Sequence, residues 1–145
     1  MERTCGDDML RGDKGNDWLY GDVGGDLFGR GLVELGDDTL EGGPGDDVLF
    51  GDFGGNDFVR DGAVRGDDTF VLRKQNGNDL IGDFEAGGTN DALDVSDFYF
   101  CNEQEVLDLA VQVEADTFID LGSGTTVTLQ NVDVNDLTTD DFLVV

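Results

Sequence analysis

Eight aspartates carry the chemistry this chain offers: Asp8, Asp17, Asp26, Asp38, Asp47, Asp57, Asp68 and Asp79. Two residues after each comes an apolar side chain: Leu10, Leu19, Phe28, Leu40, Leu49, Val59, Phe70 and Ile81. Two residues before each comes a glycine: Gly6, Gly15, Gly24, Gly36, Gly45, Gly55, Gly66 and Gly77. The beat is nine residues, with insertions, the largest at Arg30 to Leu35. One carboxylate beside glycine-exposed backbone carbonyls, repeated at fixed register, is a set of oxygen donors. Oxygen donors of this kind suit a hard cation.

The best-formed copy, Gly42 to Phe50, shows which elements must hold those donors. Gly42-Gly43-Pro44-Gly45-Asp46-Asp47 is suited to a tight turn, with glycines where a side chain would forbid the backbone angles. Val48-Leu49-Phe50 is suited to a short strand with Leu49 on one face and its neighbours on the other. Nine residues alone bury nothing, so the unit is expected as one layer of a stack. A turn every nine residues alternates sides, which predicts that copies two apart stack on the same edge. The expected partners are 8 with 26, 17 with 38, 26 with 47, 38 with 57, 47 with 68, and 57 with 79. Adjacent strands lie ~4.8 Å apart, so stacked turns can enclose an ion between them.

Composition narrows the alternatives. Lys plus Arg number 8 against 34 Asp plus Glu, a formal charge of −26 over 145 residues. That balance repels nucleic acid and anionic membrane and attracts cations. Disorder would be the ordinary reading of so acidic a chain. Here 38% of residues are hydrophobic and the acids recur in register, so disorder is expected of the cation-free state only. There is no histidine, which removes Ser-His-Asp and Cys-His pairs and His-bearing zinc sites. Cys5 and Cys101 are expected as unlinked thiols. No run approaches membrane-spanning length, and Met1 to Asp8 has no apolar core for a secretory signal.

The repeat matches Gly-Gly-x-Gly-x-Asp-x-U-x, with U apolar, and over Gly6 to about Gly82 the chain resembles the RTX, or haemolysin-type calcium-binding, family. The resemblance implies an all-β fold, a right-handed parallel β-roll. It assigns calcium to the sixth-place aspartates Asp8, Asp17, Asp26, Asp38, Asp47, Asp57, Asp68 and Asp79, with Gly12, Gly21, Gly42 and Gly45 in the turns. Up to about six ions are implied, calcium taking six to eight oxygens. Fifth-place residues such as Asp46 and Asn78 are expected to hydrogen-bond within their turns. Asp13, Asp22 and Asp52, just after a leading glycine, stay open between ligand and turn residue.

Composition changes at Gly82, dividing the chain into 1–82 (roll) and 83–145 (a mixed, mainly β cap). Asp83 to Gly88 and Asp91 to Phe98 read as strand, glycine turn and strand. Asn102-Glu103-Gln104-Glu105 reads as a helix start, and Thr117 to Leu129 as a hairpin around Gly122-Ser123-Gly124. Asp83-Phe84, Leu93 to Ser96 and Leu137 to Phe142 resemble the region after the repeats in serralysin-type metalloproteases and related type I-secreted proteins. That resemblance implies a last calcium near Asp83 and Asp91, and an export signal ending at Val145. Deleting Phe142 to Val145 is then expected to impair export while leaving calcium-driven folding largely intact. The function implied is a non-catalytic, secreted module that folds on calcium outside the cell and engages type I secretion machinery. A serralysin-like protease, lipase or alginate epimerase upstream, or an adhesive role, stands as the alternative.

Overall fold

The computed structural model describes residues 7–22, 35–52, 65–88 and 90–145. Strands β1 (Met9–Arg11), β3 (Thr39–Glu41), β5 (Thr69–Val71), β7 (Ala92–Asp94) and β11 (Phe142–Leu143) form one sheet in that order. The second sheet runs β2 (Trp18–Tyr20), β4 (Val48–Phe50), β6 (Gly77–Ile81), β10 (Thr125–Leu129), β9 (Asp116–Gly122), β8 (Ala110–Val113). Every pairing in the first sheet is parallel, as are β2 to β4, β4 to β6 and β6 to β10; β8–β9–β10 is antiparallel. The protein is thus mostly β, with parallel sheets where the repeats lie and one mixed sheet.

The alternation within each short strand builds the interior. Leu40, Phe70 and Leu93 from one sheet and Leu49, Ile81, Val127 and Leu129 from the other are fully buried in one cluster. Each is the middle or alternate residue of its strand, so one residue of each three-residue strand and alternate residues of β10 reach the core while their neighbours face outward. The exception is Phe50, only 6% exposed, because Tyr20 stacks on it with ring centroids 5.2 Å apart. Of the insertion at Arg30 to Leu35, only Leu35 falls among the described residues, and it is buried.

The register departs from the expected one. Leu10 sits opposite Leu40, and Leu19 opposite Leu49. Backbone-to-carboxylate bonds join Asp8 to Asp38 and Asp17 to Asp47, each across 30 residues. One layer of the stack therefore takes three copies of the repeat, not two. Asp17 and Asp38 precede strands of different sheets, as do Asp47 and Asp68, so the expected partnerships 17 with 38 and 47 with 68 are replaced. The partnerships involving Asp26 and Asp57 lie outside the described residues.

The C-terminal segment supplies strands to both sheets. The hairpin β9–β10 and a short helix α1 (Glu103–Leu107), capped by Asn102 accepting from the Glu105 N–H at 3.1 Å, form as the residue pattern predicts. Asp83 to Glu85 is not a strand, in contrast to expectation. Among the described residues no helix is long and apolar enough to cross a membrane. Cys101 is a free, exposed thiol, while Cys5 lies outside the described residues.

The last strand is integral to its sheet. Phe142 is 2% exposed and pairs with Leu93, and the Val95 N–H donates to the Leu143 carbonyl at 2.8 Å. Beside it the fully buried Asp141 carboxylate accepts N–H bonds from Gly87, Gly88 and Thr138 at 3.0, 2.8 and 2.7 Å. Removing it orphans buried donors that a charged group now satisfies. Asp141→Ala is expected to cost on the order of 3 kcal/mol of stability in saturating calcium, read as a lowered denaturation midpoint; an unchanged midpoint would refute the clamp.

Candidate metal centre

The turns stack in two columns. The short-turn column holds residues 12–17, 42–47 and 72–79, leading into the second sheet. The long-turn column holds 21–22 with 35–38, 51–52 with 65–68, and 82–91, leading into the first sheet. In the short turns the equivalent position is left-handed in each layer: Asp13 (φ 69°) and Gly43 (φ 97°), each after a glycine, and Gln75 (φ 64°) after Lys74. Asp13 is exposed there.

The sixth-place carboxylates form a ladder along each column. One oxygen of Asp47 accepts from the Asp17 N–H at 2.8 Å, and one of Asp79 from Asp47 at 3.1 Å. In the other column Asp38, Asp68 and Asp91 accept in the same way from Asp8, Asp38 and Asp68, at 2.8, 2.9 and 3.0 Å. The second oxygen is the informative one. Oδ2 of Asp17, Asp38, Asp47, Asp68 and Asp79 is buried and has no hydrogen-bond partner. A buried, unpaired carboxylate oxygen is costly, and here the omission repeats layer after layer.

Glycine at the head of each turn makes room for that oxygen. A Cβ on Gly12 would lie 2.6 Å from Asp17 Oδ2, and one on Gly42, Gly21 or Gly51 would strike Oδ2 of Asp47, Asp38 or Asp68. None of these four glycines has positive φ. They are needed for close approach and not, as the sequence suggested for Gly42, for unusual backbone angles. Gly45 is different, with φ 152° and its Cα against the Gly15 carbonyl oxygen of the turn above. The gap between stacked turns thus collects carbonyl oxygens as well as carboxylates. Gly42→Ala is expected to weaken cation binding at least about tenfold, by displacing the Asp47 carboxylate. Gln104→Ala, exposed on the helix α1 and away from the turns, should not; equal midpoints in a calcium titration would count against the close-approach argument.

Burial raises the affinity of these carboxylates for protons. Desolvation, offset by the ladder hydrogen bond and reinforced by neighbouring aspartates, pushes Asp38 up to about 6, Asp79 to about 7 and Asp68 to about 8. Asp47 is raised for the same reasons. A group held in this way wants either a proton or a metal ion.

Fifth-place residues do not bond within their turns. Asp7 accepts from Asp37, Asp37 from Asp67, Asn16 from Asp46, and Asp46 from Asn78, at 2.8–3.0 Å, tying each turn to the next on the exposed side. Asp83 and Asp91 do share the end of the long-turn column. Asp91 accepts from Asp68 and Glu85, one on each oxygen, and Asp83 accepts from Gly51 and Asp52. Asp26 and Asp57 lie outside the described residues. Among those described, no three acidic side chains converge on one point, so an ion here depends on backbone carbonyls.

A family model, the RTX calcium-binding nonapeptide repeat, matches residues 6–29 and 34–59 in four copies. Over those residues the chain carries RTX calcium-binding nonapeptide repeats. Its fold is similar to that of the extracellular lipase LipA from Serratia marcescens (TM-score 0.54, 22% identity), covering 100% of this chain and 20% of the lipase. It is also similar to two subunits of the Azotobacter vinelandii mannuronan C5-epimerase. For AlgE6R3 the TM-score is 0.52 with 25% identity, covering 95% of this chain and 78% of that one; for AlgE6R2 the values are 0.50, 23%, 93% and 90%. No curated protein sequence matches the chain.

The RTX repeats explain the sixth-place ladder but not two further buried acids. Asp22 and Asp52 are 3% and 1% exposed, and the sequence left both undecided. Asp22 accepts from the Gly36 N–H at 2.8 Å and Asp52 from Gly66 at 3.0 Å, closing the two long turns. A signal for them exists in the chain: Gly36-Asp37-Asp38-Thr39-Leu40 returns 30 residues later as Gly66-Asp67-Asp68-Thr69-Phe70, and Gly21-Asp22 returns as Gly51-Asp52.

Proposed function

We propose that this chain is a calcium-binding module, a right-handed parallel β-roll over residues 1–82 with a cap over 83–145, that folds when calcium enters between stacked turns. The observation carrying this reading is the row of buried, partnerless Oδ2 atoms on Asp17, Asp38, Asp47, Asp68 and Asp79. The fit is chemical: anionic oxygens with inward carbonyls suit calcium, whereas magnesium keeps its waters and a small octahedron. Gly12, Gly21, Gly42 and Gly45 admit these oxygens, and Asp83 with Asp91 ends one column. Several ions would bind, in the gaps 17/47 and 47/79 on one side and 38/68 on the other. The module itself is non-catalytic and serves the stability and type I export of a secreted protein. Because the chain spans 20% of the similar lipase, a larger secreted enzyme is the natural parent.

Calcium titration followed by circular dichroism tests the assignment. Asp47→Ala should shift the midpoint to higher calcium by about tenfold or more. Asp46→Ala, which removes an exposed inter-turn acceptor, should shift it far less. Equal shifts would place the ligand row one residue away from the sixth position.

A further inference from the structure

The two turn columns differ in one respect that the nine-residue repeat does not require. In the long-turn column each layer adds a second buried carboxylate beside the sixth-place one. Asp52 follows Gly51, and the Asp68 carboxylate packs against the Cα of Gly51. Both residues are 1% exposed. Asp52 uses Oδ1 to hold the Gly66 N–H, and Asp68 uses Oδ1 to hold the Asp38 N–H. Oδ2 of each is buried and without a partner. Arg65, the nearest basic group, is engaged at 2.9 Å by Glu85. One layer up, Asp38 packs against Gly21 and its Oδ2 is unpartnered, while the buried Asp22, whose Oδ2 holds the Gly36 N–H, is near enough for its charge to act on Asp38. In the short-turn column the matching positions are the exposed Asp13 and the buried Gly43, which add no buried acid.

Resting on the calcium-module reading, we propose that Asp52 with Asp68, and Asp22 with Asp38 in the layer above, form calcium sites with a second carboxylate from the same layer, which the short-turn column lacks. Each such site joins an acid at the start of a long turn to the sixth-place acid at its end. Asp52 already holds the Gly66 N–H across 14 positions of sequence, so an ion there would reinforce that contact. A second negative ligand also tightens calcium binding. The long-turn sites should therefore fill first and organise the first sheet.

The test counts ions with calcium chloride as the only probe, by calorimetry and native mass spectrometry on the full chain. Asp52→Asn keeps an oxygen for the Gly66 N–H but turns an amide toward the ion. Asp52→Asn should reach the wild-type circular dichroism spectrum in saturating calcium, yet lose one ion or bind it at least about tenfold more weakly. Asp22→Asn should do the same in the upper layer, and Asp46→Asn should leave the count intact. Unchanged stoichiometry and affinity in Asp52→Asn and Asp22→Asn would overturn the proposal and leave these acids as hydrogen-bond acceptors only. Failure of both variants to fold in saturating calcium would overturn it too, because the retained oxygens should still hold Gly36 and Gly66. A wild type that binds no calcium would instead sink the calcium-module reading itself.

Discussion

In excess chelator the protein is expected to lose most of its β-sheet signal and the dispersion of its amide resonances. Carboxylates recur at strand spacing along both columns, and two unit charges there repel by roughly 3–4 kcal/mol at an effective dielectric of 20. Domains have only about 5–15 kcal/mol of stability to lose. The ladder bonds from Asp8, Asp17, Asp38 and Asp47 N–H groups satisfy only one oxygen each of Asp38, Asp47, Asp68 and Asp79, and the other is buried without a hydrogen-bond partner. Folding free energy then arrives as binding free energy. Circular dichroism before and after calcium is restored checks this, and a well-ordered fold in chelator would refute it.

The second large effect is a reversal of the usual pH dependence. Without calcium, protons are the available substitute. Burial raises Asp38 to about 6, Asp52 and Asp79 to about 7, and Asp68 and Asp91 to about 8, from 3.8. The folded state therefore binds more protons than the unfolded chain between about pH 4 and 8, so stability falls as pH rises through that window. It is fully present below the unfolded value and lost as each folded value is passed. In chelator, acidification from pH 8 toward 4 should restore β-signal and raise the denaturation midpoint. In calcium the same change should move the titration midpoint to higher calcium, because protons and ions compete for one set of oxygens. A chelated protein that is least stable at pH 4 would contradict the burial of these groups.

The nine-residue beat made the strands, their inward residues and the sixth-place row legible, because a period-2 strand between glycine turns leaves one way to bury Leu40, Leu49 and Phe70. Stacking order was not legible from that beat. A layer of 30 residues preserves every local motif while changing which layers meet, so Asp17 is tied to Asp47 and not to Asp38. The longer echo from Gly36–Leu40 to Gly66–Phe70 carries that information. The role of Gly42 was hidden for a related reason: close approach belongs to the neighbouring carboxylate and leaves no mark in local backbone preference. Asp22 and Asp52 were hidden as well, since aspartate after glycine is ordinary turn chemistry until the turn is found closed on Gly36 and Gly66.

Residues 83–145 were readable piece by piece, in the hairpin and the Asn102 cap, but not in how they join the repeats. β10 adds to β6 and β11 to β7, pairings between segments far apart in sequence. The expectation that Phe142 to Val145 could be removed without harm to folding changes accordingly. That truncation removes the buried Phe142 and Val144 and a parallel strand, and calcium-driven folding should weaken along with any effect on export.

Locating the ions tests the central claim most directly. Crystals grown in calcium, with anomalous scattering used to place the metal, should show ions in the inter-turn gaps against Oδ2 of Asp17, Asp47 and Asp79 on one side. On the other side they should lie against Oδ2 of Asp38 and Asp68. Ions confined to the exposed fifth-place ladder, or those Oδ2 atoms found without metal in saturating calcium, would contradict it.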